Sequence, residues 1–363
     1  MNIQVQAEHG IICSLPHDPL GYFGWPSVAR WGDTLVAAAS GLRTQHVCPF
    51  GKTVLFTSTD QGHTWSTPQI INNTPLDDRD AGILSPDGVG LLVSWFTSDT
   101  RRYIEQMRAS YGNEVDRWQP ILSLWTDELV NQWLSSWVRL SPDGRNWGAP
   151  IRVPVSTPHG PIRLHDGSLL YLGKRMYTRD SYQLEGAIQA IRSGDGGQTW
   201  EELGVVPLSE GIYRSNLHEP HVVELASGAL LGLIRYQHSA EGKSHLPFSI
   251  FQTESGDGGR TWTPAHPLGV HGSPPHVLRH SSGALVCVYG RREVPYGQRA
   301  MISRDDGQTW DMDYILRDDG PDGDLGYPAS VELDDGSLCT VYYQKLAAGE
   351  KCSLLWTRWE LPT

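Results

Sequence analysis

Six short stretches of the chain set reactive side chains at one repeated position, a few residues ahead of a hairpin turn. They read Trp25-Pro26, Asp80-Ala81-Gly82, His159-Gly160-Pro161, Glu219-Pro220-His221, Pro275-His276 and Tyr327-Pro328. Carboxyl, imidazole and phenol groups move protons or attack electrophilic carbon. An indole adds a flat apolar face. Five of the six stretches contain Pro, which donates nothing to a β ladder and suits the mouth end of a strand. If equivalent positions of a repeat face one axis, Trp25, Asp80, His159, Glu219, His276 and Tyr327 meet in one funnel, the usual place for a ligand in a closed β architecture.

The elements that would carry them are legible from turns. Extended apolar runs flank short turns at Gly32-Asp33, Asp87-Gly88, Asp166-Gly167, Ser227-Gly228, Ser282-Gly283 and Asp335-Gly336. Such dipeptides between alternating β-branched runs signal hairpins. A second repeat runs out of phase with the first: SxDxGxTW occurs in full from Ser58, Ser193, Ser255 and Ser303, with a shortened copy from Ser141 to Trp147. Its Ser and Asp accept from backbone N–H groups, its Gly supplies φ > 0 and its Trp covers the next sheet, so the octapeptide is a turn staple and not a site. A unit then reads strand, hairpin turn, strand, loop, strand, octapeptide, strand. Six such units predict an all-β fold, a six-bladed β-propeller of four-stranded antiparallel blades in one domain over 1–363. The strand near Ser353-Leu354-Leu355-Trp356 is expected to share a blade with Ile11-Ile12-Cys13 and lock the ring. Between the second and third hairpin turns, residues 99–132 lose the period-2 alternation and predict a partly helical insertion in blade 2, a lid or a surface decoration.

Composition narrows the partners. A formal charge of −12 with no Lys/Arg cluster argues against nucleic acid. Five cysteines without a CxxC pair suit a reducing compartment and point to neither a disulfide framework nor a zinc site, so no metal or other cofactor is expected. No apolar run reaches membrane-spanning length and no signal-peptide core is evident, which makes the cytoplasm the expected location unless a leader was removed.

The octapeptides and the six units together resemble the sialidase (neuraminidase) superfamily, whose Asp boxes they match, over essentially the whole chain. The segment His218-Glu219-Pro220-His221 through Leu233-Ile234-Arg235 is similar to the one in which a Glu activates the nucleophile and an Arg grips the substrate carboxylate. Gly326-Tyr327-Pro328-Ala329-Ser330 looks like the segment carrying the catalytic Tyr. The resemblance implies Tyr327 as nucleophile and Glu219 as its base. A nearly neutral phenol suits an anomeric carbon that bears a carboxylate, which would repel an anionic nucleophile. Another carboxylate-binding Arg is implied in blade 5, as Arg292 or Arg299; a guanidinium fork recognises carboxylates bidentately where Lys would not.

Two departures mark the chain. The family's opening Phe/Tyr-Arg-Ile-Pro is here Phe23-Gly24-Trp25-Pro26, and the Glu that supports the missing Arg is Gln344. The first-blade loop that carries the family's acidic proton donor holds no acid, only Arg43 and His46 as candidate contacts, so the general acid is expected to be Asp80, beside Arg79, or His46. Trp25 at the altered motif suggests stacking on a sugar ring. The reading is an exo-acting, retaining glycoside hydrolase that releases a terminal sialic acid or related acidic sugar from a glycan. Its catalytic set is Tyr327, Glu219, Asp80 and His46, and its substrate contacts are Arg235, Arg292, Arg299, Arg79, Arg43, Trp25, His159 and His276. A lyase or hydrolase for a uronic or neutral sugar, and a non-catalytic sugar-binding propeller, are the alternatives.

Overall fold

The computed structural model describes residues 3–176 and 185–362. Their strands form six antiparallel sheets arranged as the blades of a propeller. Blade 1 is a meander of Tyr22–Trp31, Thr34–Arg43, Lys52–Ser58 and Gln69–Asn72, its first strand innermost. Blades 2, 4, 5 and 6 repeat the pattern from inner strands Asp77–Leu84, Leu217–Glu224, Pro275–Arg279 and Gly326–Glu332. In blade 3 the inner strand is broken into Val155–Ser156 and Ile162–Arg163, both paired with Leu169–Arg175. Blade 5 gains a fifth, parallel strand, Ile3–Gln4 beside Asp311–Arg317, so the four-stranded expectation holds with two local elaborations.

The ring closes as the sequence suggests. Ala7–Cys13 is the outer strand of blade 6, with Ile11 opposite Leu355 and Cys13 opposite Leu354. Apolar side chains from facing sheets fill the layers between blades; one such layer joins Phe23, Val28 and Phe56 of blade 1 to Val341, Leu354 and Trp356 of blade 6. All five cysteines are free thiols, and four are buried. Among the described residues, no helix is long and apolar enough to cross a membrane.

The octapeptides link the third and fourth strands of blades 1 to 5. In the first, Ser58 Oγ donates to Asp60 at 2.8 Å, Asp60 accepts from the Thr64 N–H at 2.9 Å, and the Trp65 indole donates to the Gly62 carbonyl at 2.9 Å. Asp195, Asp257 and Asp305 repeat the arrangement. These bonds, led by those from the Thr side chain and backbone, hold the Asp60 carboxyl down at about 2. The motif therefore acts as a turn staple. It lies with the hairpin turns on one face of the ring, and the inner strands begin on the other.

The insertion of blade 2 runs from Thr100 to Trp133 as five short helical segments between strands Leu91–Ser98 and Ser136–Ser141. Thr126 caps the last of them, accepting from the Leu129 N–H at 3.2 Å. Met107, Val115, Trp118 and Trp125 bury themselves against Cys48 and Leu76 of the propeller, giving the insertion its own small core.

Candidate active site

Four of the six phase positions share one backbone distortion. Trp25, Asp80, Glu219 and Tyr327 have φ of 53°, 51°, 44° and 50°, a left-handed conformation that non-glycine residues rarely adopt. Each lies at a register shift of its inner strand: 24 to 27, 79 to 82, 218 to 221 and 326 to 329. A bulge re-aims the side chain that carries it, and here it sets an acid, a second acid, a phenol and an indole at one end of the channel. Three of the four precede proline, whose missing N–H leaves nothing unpaired at the bulge. Such strain persists only where the surrounding structure holds it, and it concentrates at functional sites.

The centre of the group is a hydrogen-bonded cluster. Tyr327 Oη donates to Glu219 Oε1 at 2.6 Å; Arg235 Nη1 donates to Tyr327 Oη at 2.9 Å and also to Glu219 Oε2, while its Nη2 donates to Gln237 at 2.6 Å. Burial alone would raise the Glu219 pKa, but Arg235 and the Tyr327 bond outweigh it and hold the carboxyl below its ordinary value. Burial and the Glu219 charge push the Tyr327 phenol up, so its proton stays on in the free protein. The Asp80 carboxyl is raised to about 7, by burial first and then by Glu219. Glu219 and Asp80 thus line one cleft with opposite protonation below about pH 7, the separation that acid and base roles require.

Arg292 closes one side, its guanidinium 5.5 Å from the Tyr327 ring and its Nη2 3.5 Å from the Tyr343 hydroxyl. Arg79 closes another, 4.5 Å from the Trp25 ring. Half-buried His46 stands edge-on to Trp25 at 4.9 Å, and its Nδ1 lies 2.8 Å from Asp324 and 2.9 Å from the Tyr22 hydroxyl. Burial lowers the His46 pKa against the opposing pull of Asp324, which keeps the imidazole neutral near pH 7. A cleft of about 410 Å³ opens over Asp80, Glu219 and Tyr327, walled by Lys174, Arg79 and the insertion residues Tyr103, Gln106 and Met107. The insertion is therefore a wall of the cleft, fixed by its own core.

Four sequence-derived contacts lie elsewhere. Arg43 is fully buried and spends its guanidinium on Asp77, at 2.6 and 3.0 Å, and on Ser40, Gln45, His46 and Asp78. Arg299 is buried inside blade 5, donating to the carbonyls of Gln298 and Arg317, so Arg292 is the blade 5 arginine that stands beside Tyr327. His159 and His276 pack on the axis beneath the cleft, their rings 5.0 Å apart. The proline that marked blade 5 follows another proline, Pro274, so His276 occupies the layer of His221, two residues beyond Glu219. Sequence reasoning also missed Tyr22, Gln237, Asp324 and Tyr343. Their alternation marks them as strand or loop residues, and nothing local distinguishes a pocket-facing partner.

The altered first-blade motif has a steric account. A Cβ on Gly24 would lie 3.3 Å from the Tyr22 ring and 3.8 Å from the Tyr343 ring. Tyr22, Trp25 and Tyr343, with centroids 5.9 to 6.4 Å apart, fill the space in which an arginine at 24 would extend.

A ring of six meander blades stapled by Asp boxes, with a cleft at the start of its inner strands, defines a sialidase-like propeller. The chain belongs to the BNR repeat-like domain family, whose model matches residues 110–340. No curated protein matches it. Among solved structures it is similar to a protein of unknown function from Dyadobacter fermentans, at 20% identity over 98% of both chains and a TM-score of 0.75. The Trypanosoma rangeli sialidase in complex with the inhibitor DANA is 16% identical over 97% of this chain and 59% of that one, with a TM-score of 0.62. The Ruminococcus gnavus intramolecular trans-sialidase in complex with oseltamivir carboxylate is 15% identical over 97% of both, with a TM-score of 0.62. At these identities the likeness is one of fold.

Proposed function

We propose that the protein is a retaining exo-glycosidase of sialidase type, acting on a terminal sugar whose anomeric carbon bears a carboxylate. The observation that carries this is the Tyr327–Glu219–Arg235 cluster: a phenol bonded at 2.6 Å to a carboxylate that stays ionised because an arginine backs it. In this reading Tyr327 Oη attacks the anomeric carbon as its proton passes to Glu219. Asp80, protonated up to about pH 7, gives its proton to the departing glycosidic oxygen. Water then loses a proton to Asp80 and attacks the same carbon, and Tyr327 leaves with the proton held by Glu219. Arg235 and Arg292 receive the carboxylate, Arg79 offers a third guanidinium from blade 2, and His46 accepts from a substrate hydroxyl or amide.

A uronic or other acidic sugar is the second reading, favoured by the aromatic rings that occupy the place of the first-blade arginine. One experiment separates the two. The protein is given 4-methylumbelliferyl α-N-acetylneuraminide and 4-methylumbelliferyl β-glucuronide, and the first-formed anomer is followed by proton NMR. Release of the α-anomer from the sialoside is expected; turnover of the glucuronide alone moves the substrate class, and turnover of neither removes the hydrolase reading.

A further inference from the structure

The opposite end of the axial channel holds a second cavity, of about 450 Å³, which shares no wall residue with the cleft. Inner-strand residues just past the bulges give it aliphatic sides, among them Val28, Ile83, Ile162, Val222, Val277 and Val331. Its floor is imidazole. The rings of His221 and His276 stack 4.3 Å apart at 19°, with His159 edge-on to both.

The tautomers of the stacked pair follow from their backbone partners. His221 Nδ1 accepts the N–H of Val277 at 3.1 Å and His276 Nδ1 accepts the N–H of Ser330 at 3.4 Å, each histidine capping the open edge of the next blade's inner strand. An accepting ring nitrogen carries no hydrogen, so each neutral ring holds its hydrogen on Nε2. Burial, reinforced at His276 by the neighbouring imidazoles, keeps both rings neutral. Neither Nε2 has a hydrogen-bond partner among the described residues, and His159 Nε2 is buried without one. Both side chains are more than nine-tenths buried. Their lone pairs are committed to backbone N–H groups, so the pair presents donors and is unsuited to hold a metal.

The mouth of this cavity carries Arg163 and Arg279 from blades 3 and 5, and Glu224 and Glu332 from blades 4 and 6. The carboxylates are already engaged: Glu224 accepts from the His165 N–H at 2.6 Å and Glu332 from the Ser281 N–H at 2.8 Å. Arg163 and Arg279 are exposed, with no hydrogen bond or ion pair to another described residue. Donors therefore stand at both ends of an aliphatic tube.

We propose that this cavity is a second binding site, for a small organic acid that has an oxygen at each end of an aliphatic body. Arg163 and Arg279 hold its carboxylate at the mouth, and the Nε2 hydrogens of His221 and His276 donate to the oxygen at the floor. A carboxylate accepts and never donates, which matches the two unpaired arginines at the mouth and the Nε2 hydrogens of His221 and His276 at the floor. His276 and Arg279 are three residue steps apart on one strand, roughly 10 Å, a spacing that suits a six-carbon dicarboxylate. This proposal stands apart from the glycosidase reading, because neither site uses a residue of the other.

The test uses the full chain labelled with ¹⁵N-histidine and titrated with adipate, read by long-range ¹H–¹⁵N correlation of the imidazoles. Saturable shifts of the His221 and His276 Nε2 signals are expected, with none from 1,6-hexanediol. The surface double variant Arg163→Gln/Arg279→Gln is expected to weaken adipate roughly tenfold or more. His221→Asn, whose Oδ1 can keep the Val277 cap while the deep donor is lost, is expected to weaken it as well. No saturable shift with adipate, an equal shift with the diol, or undiminished binding in the arginine double variant would each overturn the proposal. Because Arg163 and Arg279 are exposed, that variant remains informative if His221→Asn fails to fold.

Discussion

Tyr327 donates to Glu219 across 2.6 Å although 108 positions separate them in the chain. Both stand at φ near 50° on inner strands of different blades, and Arg235 touches both. A packing tyrosine would not need a bulge, an ionised acceptor and a guanidinium together. Tyr327→Phe removes the attacking oxygen and Glu219→Gln removes its proton acceptor while keeping a similar shape. Each is expected to cut kcat for an activated sialoside by on the order of 10²–10⁴-fold, with thermal unfolding little changed. Steady-state kinetics beside calorimetry checks this; wild-type kcat in both variants would take the nucleophile and base roles away from Tyr327 and Glu219.

Asp80 predicts the pH behaviour. Its carboxyl is raised from 3.8 to about 7, so the native protein holds a proton that the unfolded chain releases. The stabilisation this brings is complete below about pH 4, declines as pH rises, and is gone above about pH 7. Asp80→Asn should therefore gain stability relative to wild type between pH 4 and pH 8, by thermal unfolding at fixed ionic strength. In activity, kcat/KM should fall above about pH 7 in wild type, and that limb should vanish in Asp80→Asn together with most turnover of poor leaving groups. A limb that persists in Asp80→Asn would take the acid role away from Asp80.

The first-blade motif invites restoration of the family's arginine, and the structure argues that restoration will fail. Tyr22 and Tyr343 leave 3.3 to 3.8 Å at the Gly24 Cβ, and both rings are fully buried. Gly24→Arg is expected to destabilise by about 1–3 kcal/mol, the usual cost of overpacking, without improving KM. Chemical denaturation and kinetics on the same preparation test this. A tighter KM at unchanged stability would mean that the aromatic filling yields easily.

What the sequence made legible follows from periodicity. Octapeptides and hairpin turns are local, so the blades, the insertion and the closing strand could be placed from spacing alone. Phase then brought Trp25, Asp80, Glu219 and Tyr327 to one end of the channel, because a repeat imposes equivalent positions. The failures share a cause. A one-residue bulge shifts the side chains that follow it, so His276 was assigned the layer of Glu219 although it lies with His221. Whether a buried guanidinium meets a protein carboxylate or a ligand depends on side chains from other blades. Arg43 and Arg292 could not be told apart until Asp77 and Tyr343 were seen beside them.

Ring closure yields the last prediction. Ala7–Cys13 supplies the outer strand of blade 6, where Ile12 is buried with Leu354 and Trp356. Gly10 lies under the Trp356 indole, which an added Cβ would meet at 2.4 Å, and that ring stands edge-on to His63 of blade 1 at 5.9 Å. The N-terminal strand thus holds the last blade against the first. Deleting residues 1–13 uncovers the edge of Ser353–Trp359 and opens the ring. It should abolish cooperative unfolding and favour aggregation. Deleting residues 1–5 removes the parallel strand on blade 5 and the buried Val5 side chain but keeps the outer strand of blade 6, and should leave closure intact with a fall in melting temperature. Differential scanning calorimetry of the two truncations beside wild type decides the point: a cooperative transition in the longer deletion, near that of the shorter one, would show that closure rests on side-chain layers between blades and not on the shared strand.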